Sequence, residues 1–272
     1  MTDYFGKDCS CLHEKKLFLF DMDGTIYLDN DLFEGVPELL EQITNDGGRY
    51  VFITNNSSKS VSDYVAKLHR LGLTSVTEDN FFTSAQASLA LMKEKHPNDL
   101  IYLQGTKSFV AGFEGSGLSV TTEYDESAKV VLVGFDPEFT GEKIYNTCKL
   151  LTKCNVSYYA TNPDWVCPVE FGFIPDCGSM CQSIERATGK APKFIGKPHP
   201  EMIYAVMNKF GAVKEDTVVI GDRLYTDIAS GNNAGVTTVC VLSGEVGLEE
   251  VKNAKGVEAP DYLLNSVKDL LK

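Results

Sequence analysis

The chain has 272 residues, of which 43% are hydrophobic and 23% charged, and its formal net charge is −13. That length supports a sizeable buried core, in one large domain or two modest ones. The acidity argues against sequence-independent nucleic-acid binding, which relies on a broad basic surface, but leaves room for a local cationic pocket around a small anion.

In chain order, Leu17 to Phe20 reads as a buried strand ending at Asp21. Pro37 to Ile43 reads as a helix, with proline near its first turn and Gly47-Gly48 beyond its end. Arg49 to Thr54 is a second strand. Val61, Val65, Leu68 and Leu71 recur at helical spacing, and Gly72 supplies a C-terminal stop. Leu100 to Leu103, Val130 to Val133 and Val156 to Ala160 read as strands with helical stretches between them, and Lys193 to Gly196 as a short one. A helix over Pro200 to Phe210 follows, then a strand from Thr217 to Ile220 running into Gly221-Asp222, and another from Thr237 to Leu242. Such alternation predicts an α/β protein, a Rossmann-like doubly wound parallel sheet. The stretch 84–190 has its own strand-helix set and separates two stretches whose strand ends carry polar motifs. It reads as an inserted α/β cap domain within a core made of 1–83 plus 191–272.

No segment approaches the roughly 18 consecutive apolar residues of a membrane span, and the run Leu17–Phe20 is too short for a secretory leader. The expected location is the cytoplasm, with no membrane or nucleic-acid partner. The eight cysteines, at 9, 11, 148, 154, 167, 177, 181 and 240, are then expected to be mostly reduced.

Ligands of open α/β sheets bind beyond the carboxyl ends of the strands. Four strand ends here carry polar clusters: Asp21-Met22-Asp23-Gly24-Thr25, Thr54-Asn55-Asn56, Gly196-Lys197-Pro198, and Gly221-Asp222-Arg223-Leu224-Tyr225-Thr226-Asp227. In the first, one carboxylate can face a pocket while the other swings in on the next turn, and Gly24 permits the tight path. A calcium loop also opens with Asp-x-Asp, but Thr25-Ile26-Tyr27 breaks its ligand pattern and Leu32 stands where its twelfth-position Glu belongs. Each of the other clusters has an ordinary local reading as turn, cap or surface lysine. All four in this order, each after a strand, point instead to one site.

These motifs resemble the haloacid dehalogenase superfamily of phosphohydrolases, in the branch with a large α/β cap that includes the N-acetylglucosamine-operon and 4-nitrophenyl phosphatases. Thr161-Asn162-Pro163-Asp164 and Pro175-Asp176-Cys177-Gly178 resemble cap segments of that branch. The resemblance implies a nucleophile at Asp21 and a general acid and base at Asp23. It implies phosphoryl-oxygen binding by Thr54 and Lys197, with Asn55 holding the phosphoryl group or Asp23. Magnesium would be held by Asp21, Asp222 and the backbone carbonyl of Asp23, with Asp227 orienting that set. Charge agrees with this. Asp21, Asp222 and a phosphate ester are all anionic, so Lys197 and a divalent cation are needed to offset the repulsion. Asn162 and Asp164 are expected to face the substrate from the cap. The implied substrate is a small phosphate ester, such as a sugar phosphate or nucleotide, and the resemblance leaves room for a homodimer through the cap.

A phosphotransferase or mutase would use the same intermediate, and a non-catalytic sugar- or nucleotide-phosphate sensor could use the same fold. A sensor has no need of a general acid, which disfavours it. Cys9-Ser10-Cys11 and His13 are expected to lie in a mobile tail, since no fourth zinc ligand is evident. Cys167, Cys177 and Cys181 read as small buried or half-buried thiols, and His199 as a cap of the following helix.

Overall fold

The computed structural model describes residues 1–169 and 171–272. After a short N-terminal segment come β1 (Leu17–Phe20), the hairpin β2 (Tyr27–Leu28) and β3 (Asp31–Leu32), α1 (Val36–Asn45), β4 (Arg49–Thr54) and α2 (Val61–Arg70). Next are β5 (Phe81–Thr83), α3 (Ser84–Lys95), β6 (Leu100–Gln104), α4 (Lys107–Phe113), β7 (Ser119–Thr121), β8 (Val130–Val133), α5 (Gly141–Lys153) and β9 (Ser157–Ala160). They are followed by β10 (Val166–Val169), β11 (Gly172–Pro175), α6 (Cys177–Thr188), β12 (Lys193–Phe194), α7 (Glu201–Phe210) and β13 (Thr217–Gly221). The chain ends with α8 (Ala229–Ala234), β14 (Thr237–Val241), α9 (Leu248–Asn253) and β15 (Tyr262–Leu264).

The chain forms two compact units. One comprises Met1–Thr54, Val65–Phe82 and Lys197–Lys272; the other comprises Asn55–Tyr64 and Thr83–Gly196. In the first, a six-stranded sheet runs in the order β15-β14-β13-β1-β4-β5. β1 pairs in parallel with β13 and with β4, and β13, β14 and β15 continue in parallel. β1 is central, so its run Leu-Phe-Leu-Phe is buried throughout, as expected of a strand covered on both faces. Helix α1 turns Val36, Leu39, Leu40 and Ile43 inward, the spacing of one helical face.

The second unit holds a five-stranded parallel sheet, β12-β9-β8-β6-β7, and the small antiparallel pair β10-β11. Its core gathers Tyr102, Val131, Val133, Leu150, Leu151 and Tyr158 with Cys177, Cys181 and Ile184 of α6. Thr83, Thr106, Thr140 and Asp176 cap the helices that follow them. The short strand β12 was expected within the core stretch 191–272. It is instead the edge of this second sheet, with Lys193 opposite Tyr159 and Phe194 opposite Ala160. Two residues bury too little to specify a sheet by pattern, so only pairing decides where they belong.

The N-terminal segment corrects a second expectation: it is not a loose tail. Cys9 and Leu12 are fully buried, Tyr4 donates its backbone N–H to Leu263, and Thr2 bridges Asp8. Cys11 Sγ lies 3.3 Å from the Tyr262 hydroxyl, and His13 Nε2 lies 3.2 Å from the Leu270 carbonyl. The thiols and the imidazole face separate partners, and among the described residues they form no metal-binding cluster. All eight cysteines are free thiols. No helix among the described residues is long and apolar enough to cross a membrane.

Candidate active site

Register places the site. Phe20 of β1 sits opposite Ile220 of β13 and Phe52 of β4, so all three strands end at the same edge of the sheet. Asp21 leaves β1 with its backbone N–H bonded to the Ile220 carbonyl, at 2.8 Å. Lys197 reaches this edge from the segment before α7. Its Nζ donates to Asp21 Oδ1 at 2.6 Å, to Asp227 Oδ1 at 2.6 Å and to the Ile53 carbonyl at 3.1 Å. The three ammonium protons therefore each have an acceptor. Burial works against the charged lysine, but Asp21 and Asp227 outweigh it and hold its pKa above the usual lysine value. Burial raises the pKa of Asp21 well above the ordinary carboxylate range. The charge of Asp227 raises it further, while Lys197 pulls it back.

Asp227 enters through a wide turn, the π-helical segment Leu224–Ile228 that follows β13. Such turns recur where a side chain must be aimed at a site. The carboxyl group of Asp227 folds back over Gly221, where any Cβ would collide with it. One of its oxygens accepts from Lys197 and the other from the Arg223 backbone N–H at 3.1 Å. Both oxygens are thus engaged, one with Lys197 and one with the backbone of the turn.

Asp222 differs. Its Oδ2 accepts the Glu245 backbone N–H at 2.7 Å, but its Oδ1 is buried without a hydrogen-bond partner. An unpartnered buried carboxylate oxygen is costly. Burial pushes the pKa of Asp222 up to about 7, Asp227 adds to the rise, and the Glu245 amide and Arg223 oppose it. One carboxylate oxygen each from Asp21, Asp222 and Asp227 falls within 4.8 Å of the other two. Three clustered carboxylates, two of them bonded to one ammonium and one oxygen orphaned, are a donor set that fits a hard divalent cation taking oxygen ligands. Asp21 and Asp222 offer the oxygens; Asp227 is already committed to Lys197 and Arg223. Gly24 and Gly244 wall Asp222 so closely that a Cβ at either would run into its carboxyl group, and Gly24 holds φ at +85°.

Asp23 stands apart from this trio. Its side chain is 37% exposed, with Oδ2 3.4 Å from the Tyr27 hydroxyl and Oδ1 4.0 Å from Lys67 Nζ. Thr54 is buried at the end of β4, immediately after the Ile53 carbonyl that receives Lys197.

Three expected site residues lie in the second unit: Asn55, Asn162 and Asp164, all buried. Asn55 Nδ2 donates to Asp164 Oδ1 at 3.0 Å, Asn162 Nδ2 donates to the Asn55 carbonyl at 2.7 Å, and Asn162 Oδ1 accepts the Asp164 N–H. Asn162 and Asp164, expected to face substrate, here bond to Asn55 and to one another. Their polar groups knit the turn after β9 to the segment beginning at Asn55. Buried amides need partners of this kind. Among the described residues that follow this turn in the chain, Trp165, Phe171 and Phe173 are exposed.

Residue-by-residue reading missed Tyr27, Lys67 and the Ser243–Glu245 loop. Ser243 Oγ donates to the Gly24 carbonyl at 2.7 Å, and Glu245 both donates its N–H to Asp222 and ion-pairs with Arg223 at 2.7 Å. No spacing rule flags a backbone amide. Lys67 is one polar position on an amphipathic helix, where a lysine is ordinarily unremarked.

Comparison with known proteins places the chain in a family. A family described as haloacid dehalogenase-like hydrolase matches residues 18–119, and one described as HAD-hydrolase-like matches residues 194–270. An acid sugar phosphatase of Staphylococcus aureus is 32% identical over 259 residues, covering 95% of this chain and 96% of that protein. The crystal structure of a 4-nitrophenylphosphatase from Thermotoga maritima superposes with a TM-score of 0.89 at 38% identity, over 96% of this chain and 97% of that one. A glycerol phosphate phosphatase from Mycobacterium tuberculosis, crystallised with magnesium, gives a TM-score of 0.89 at 26% identity, over 99% of this chain and 79% of that one.

Proposed function

The chain belongs to the haloacid dehalogenase-like hydrolases and is a phosphatase of that family; on that premise we propose that it hydrolyses a small phosphate monoester through an aspartyl-phosphate on Asp21, with magnesium as cofactor. The observation that carries this reading is the trio of Asp21, Asp222 and Asp227, two of them bonded to Lys197, with Asp222 Oδ1 buried and unpartnered.

An oxygen of Asp21 attacks phosphorus, and the bond to the ester oxygen breaks. Asp23, as the acid, protonates that oxygen and the alcohol departs. Asp23, now a carboxylate, takes a proton from water as the water oxygen attacks the same phosphorus. Inorganic phosphate leaves and the Asp21 carboxylate is restored. Lys197 neutralises charge on the phosphoryl oxygens, aided by the Thr54 hydroxyl, and Asp227 keeps Lys197 aimed. Asp21 and Asp222 would hold magnesium, together with the Asp23 backbone carbonyl. Bound there, the ion offsets the repulsion between carboxylates and phosphate, and positioning with charge stabilisation is most of what phosphoryl transfer requires. The inserted stretch 84–190 is proposed to set which ester is accepted.

Release of inorganic phosphate from 4-nitrophenyl phosphate tests the reading. Turnover is expected to vanish after chelation and to return with magnesium. Asp21→Asn is expected to lose several orders of magnitude in rate while keeping its melting transition, since an amide cannot serve as the nucleophile. Full activity in metal-free protein, or near-normal turnover by folded Asp21→Asn, would refute it.

A further inference from the structure

Asp23 needs a defined orientation to protonate a leaving oxygen, yet it has the most open side chain of the carboxylates described above. Its two neighbours are unusually well fixed. Tyr27 is fully buried, pairs with Leu32 across the hairpin, and accepts the Gly24 N–H at 2.8 Å through its carbonyl. Its hydroxyl faces Asp23 at 3.4 Å. Lys67 projects from α2 onto the same ring, with Nζ 3.5 Å from the ring centroid and 4.0 Å from Asp23 Oδ1. The Lys67 side chain is only 15% exposed, so its ammonium is held between an aromatic face and a carboxylate rather than waving in solvent. Ring, ammonium and carboxylate lie together in one cluster.

We infer that Lys67, seated on the Tyr27 ring, is a positioning residue that holds the Asp23 carboxyl in the orientation from which it serves the leaving group. This rests on the reading of Asp23 as the general acid. Separations of 3.4 and 4.0 Å are long for hydrogen bonds, and catalytic contacts of this kind shorten when substrate is bound. An ammonium constrained by a cation–π contact restricts the carboxylate from one side while the phenol restricts it from the other. Neither group need touch substrate. Their effect is to reduce the fraction of time Asp23 spends turned away, which matters only when the leaving oxygen requires a proton.

That dependence provides the test. kcat/KM is measured for glycerol phosphate, whose alkoxide needs protonation, and for 4-nitrophenyl phosphate, whose phenolate does not. Lys67→Met, which keeps most of the stem, is expected to lower the value for glycerol phosphate about tenfold, a part of the ~10²–10⁴ a general acid supplies. The nitrophenyl ester should change by less than about twofold on the same reasoning. Lys67→Arg should restore most of the loss, and Tyr27→Phe should shift the ratio in the same direction as Lys67→Met. The ratio of the two esters does not depend on how much of each variant is folded, so lost stability cannot imitate the result. Equal losses on both esters, or no loss on either, would overturn the role of Lys67. Asp23→Asn separates this from the underlying reading. If that variant does not itself penalise glycerol phosphate far more than the nitrophenyl ester, Asp23 is not the acid and the inference falls with it. If it does and the Lys67→Met ratio stays flat, the positioning role alone is wrong.

Discussion

Asp222 carries opposite demands on its two oxygens: one is bonded to the Glu245 amide, and the other is buried with no partner. Its pKa of about 7 in the metal-free protein lies far above the ordinary carboxylate value of 3.8. A carboxyl group raised on folding stabilises the native state fully below its unfolded value, and that contribution is lost as pH rises through the folded one. The window therefore runs from about pH 4 to about pH 7, with a loss on the order of 4 kcal/mol at most. Asp222→Asn has no charge to bury. Its melting temperature relative to the native chain should therefore rise as metal-free protein is taken from pH 5 to pH 8. Saturating magnesium should reverse the order at pH 8, because the ion binds the ionised carboxylate. Melting curves of the two proteins that stay parallel across this range, with and without magnesium, would exclude Asp222 as the buried group that awaits a cation.

At the scale of elements, three strand ends were legible because an apolar run stops at an abrupt polar cluster, after Phe20, Ile53 and Ile220. The loop between β14 and α9 was not, since its contribution comes from a backbone N–H and from the absence of a side chain. Gly244 lies against the Asp222 carboxyl group, where a Cβ has no room. Gly244→Ala should displace either the loop or Asp222 at a cost of about 1–3 kcal/mol, the usual range for overpacking. If the strain falls on Asp222, apparent magnesium affinity should drop about tenfold or more, since 1.4 kcal/mol is a factor of ten. Calorimetric titration with magnesium checks this, and unchanged affinity would mean that the loop yields and Asp222 does not. β12 marks the opposite limit of pattern reading, because two residues cannot announce which sheet they join.

For the whole molecule, the N-terminal segment changes the inventory of what holds the first unit together. Cys9 and Leu12 are buried three residues apart on a short helical turn, while Tyr4 and Lys7 bond to backbone near β15. Leu12→Ala should cost ~2–5 kcal/mol, as buried leucine truncations do. For a chain of this size that lowers the melting temperature by roughly 2–4 °C per kcal/mol. Specific activity of the folded fraction should be unaffected, because Leu12 touches none of the carboxylates. A melting temperature equal to that of the native chain would return the segment to the status of a tail.

The sequence by itself determined the fold class and the polar clusters that follow the strands. Strand periodicity and a polar cluster after each strand are local features, and local features are written in consecutive residues. Tertiary structure alone decided which groups meet. Lys197 bonds Asp21 across 176 positions of chain because β1, β4 and β13 end in register, and no spacing rule encodes that. It also decided that Asn162 and Asp164 bond to one another and to Asn55, and that Lys67 comes to rest on Tyr27 beside Asp23. Buried polar groups take whatever partners the packing brings within reach, so their roles follow from the folded arrangement rather than from the order of the chain.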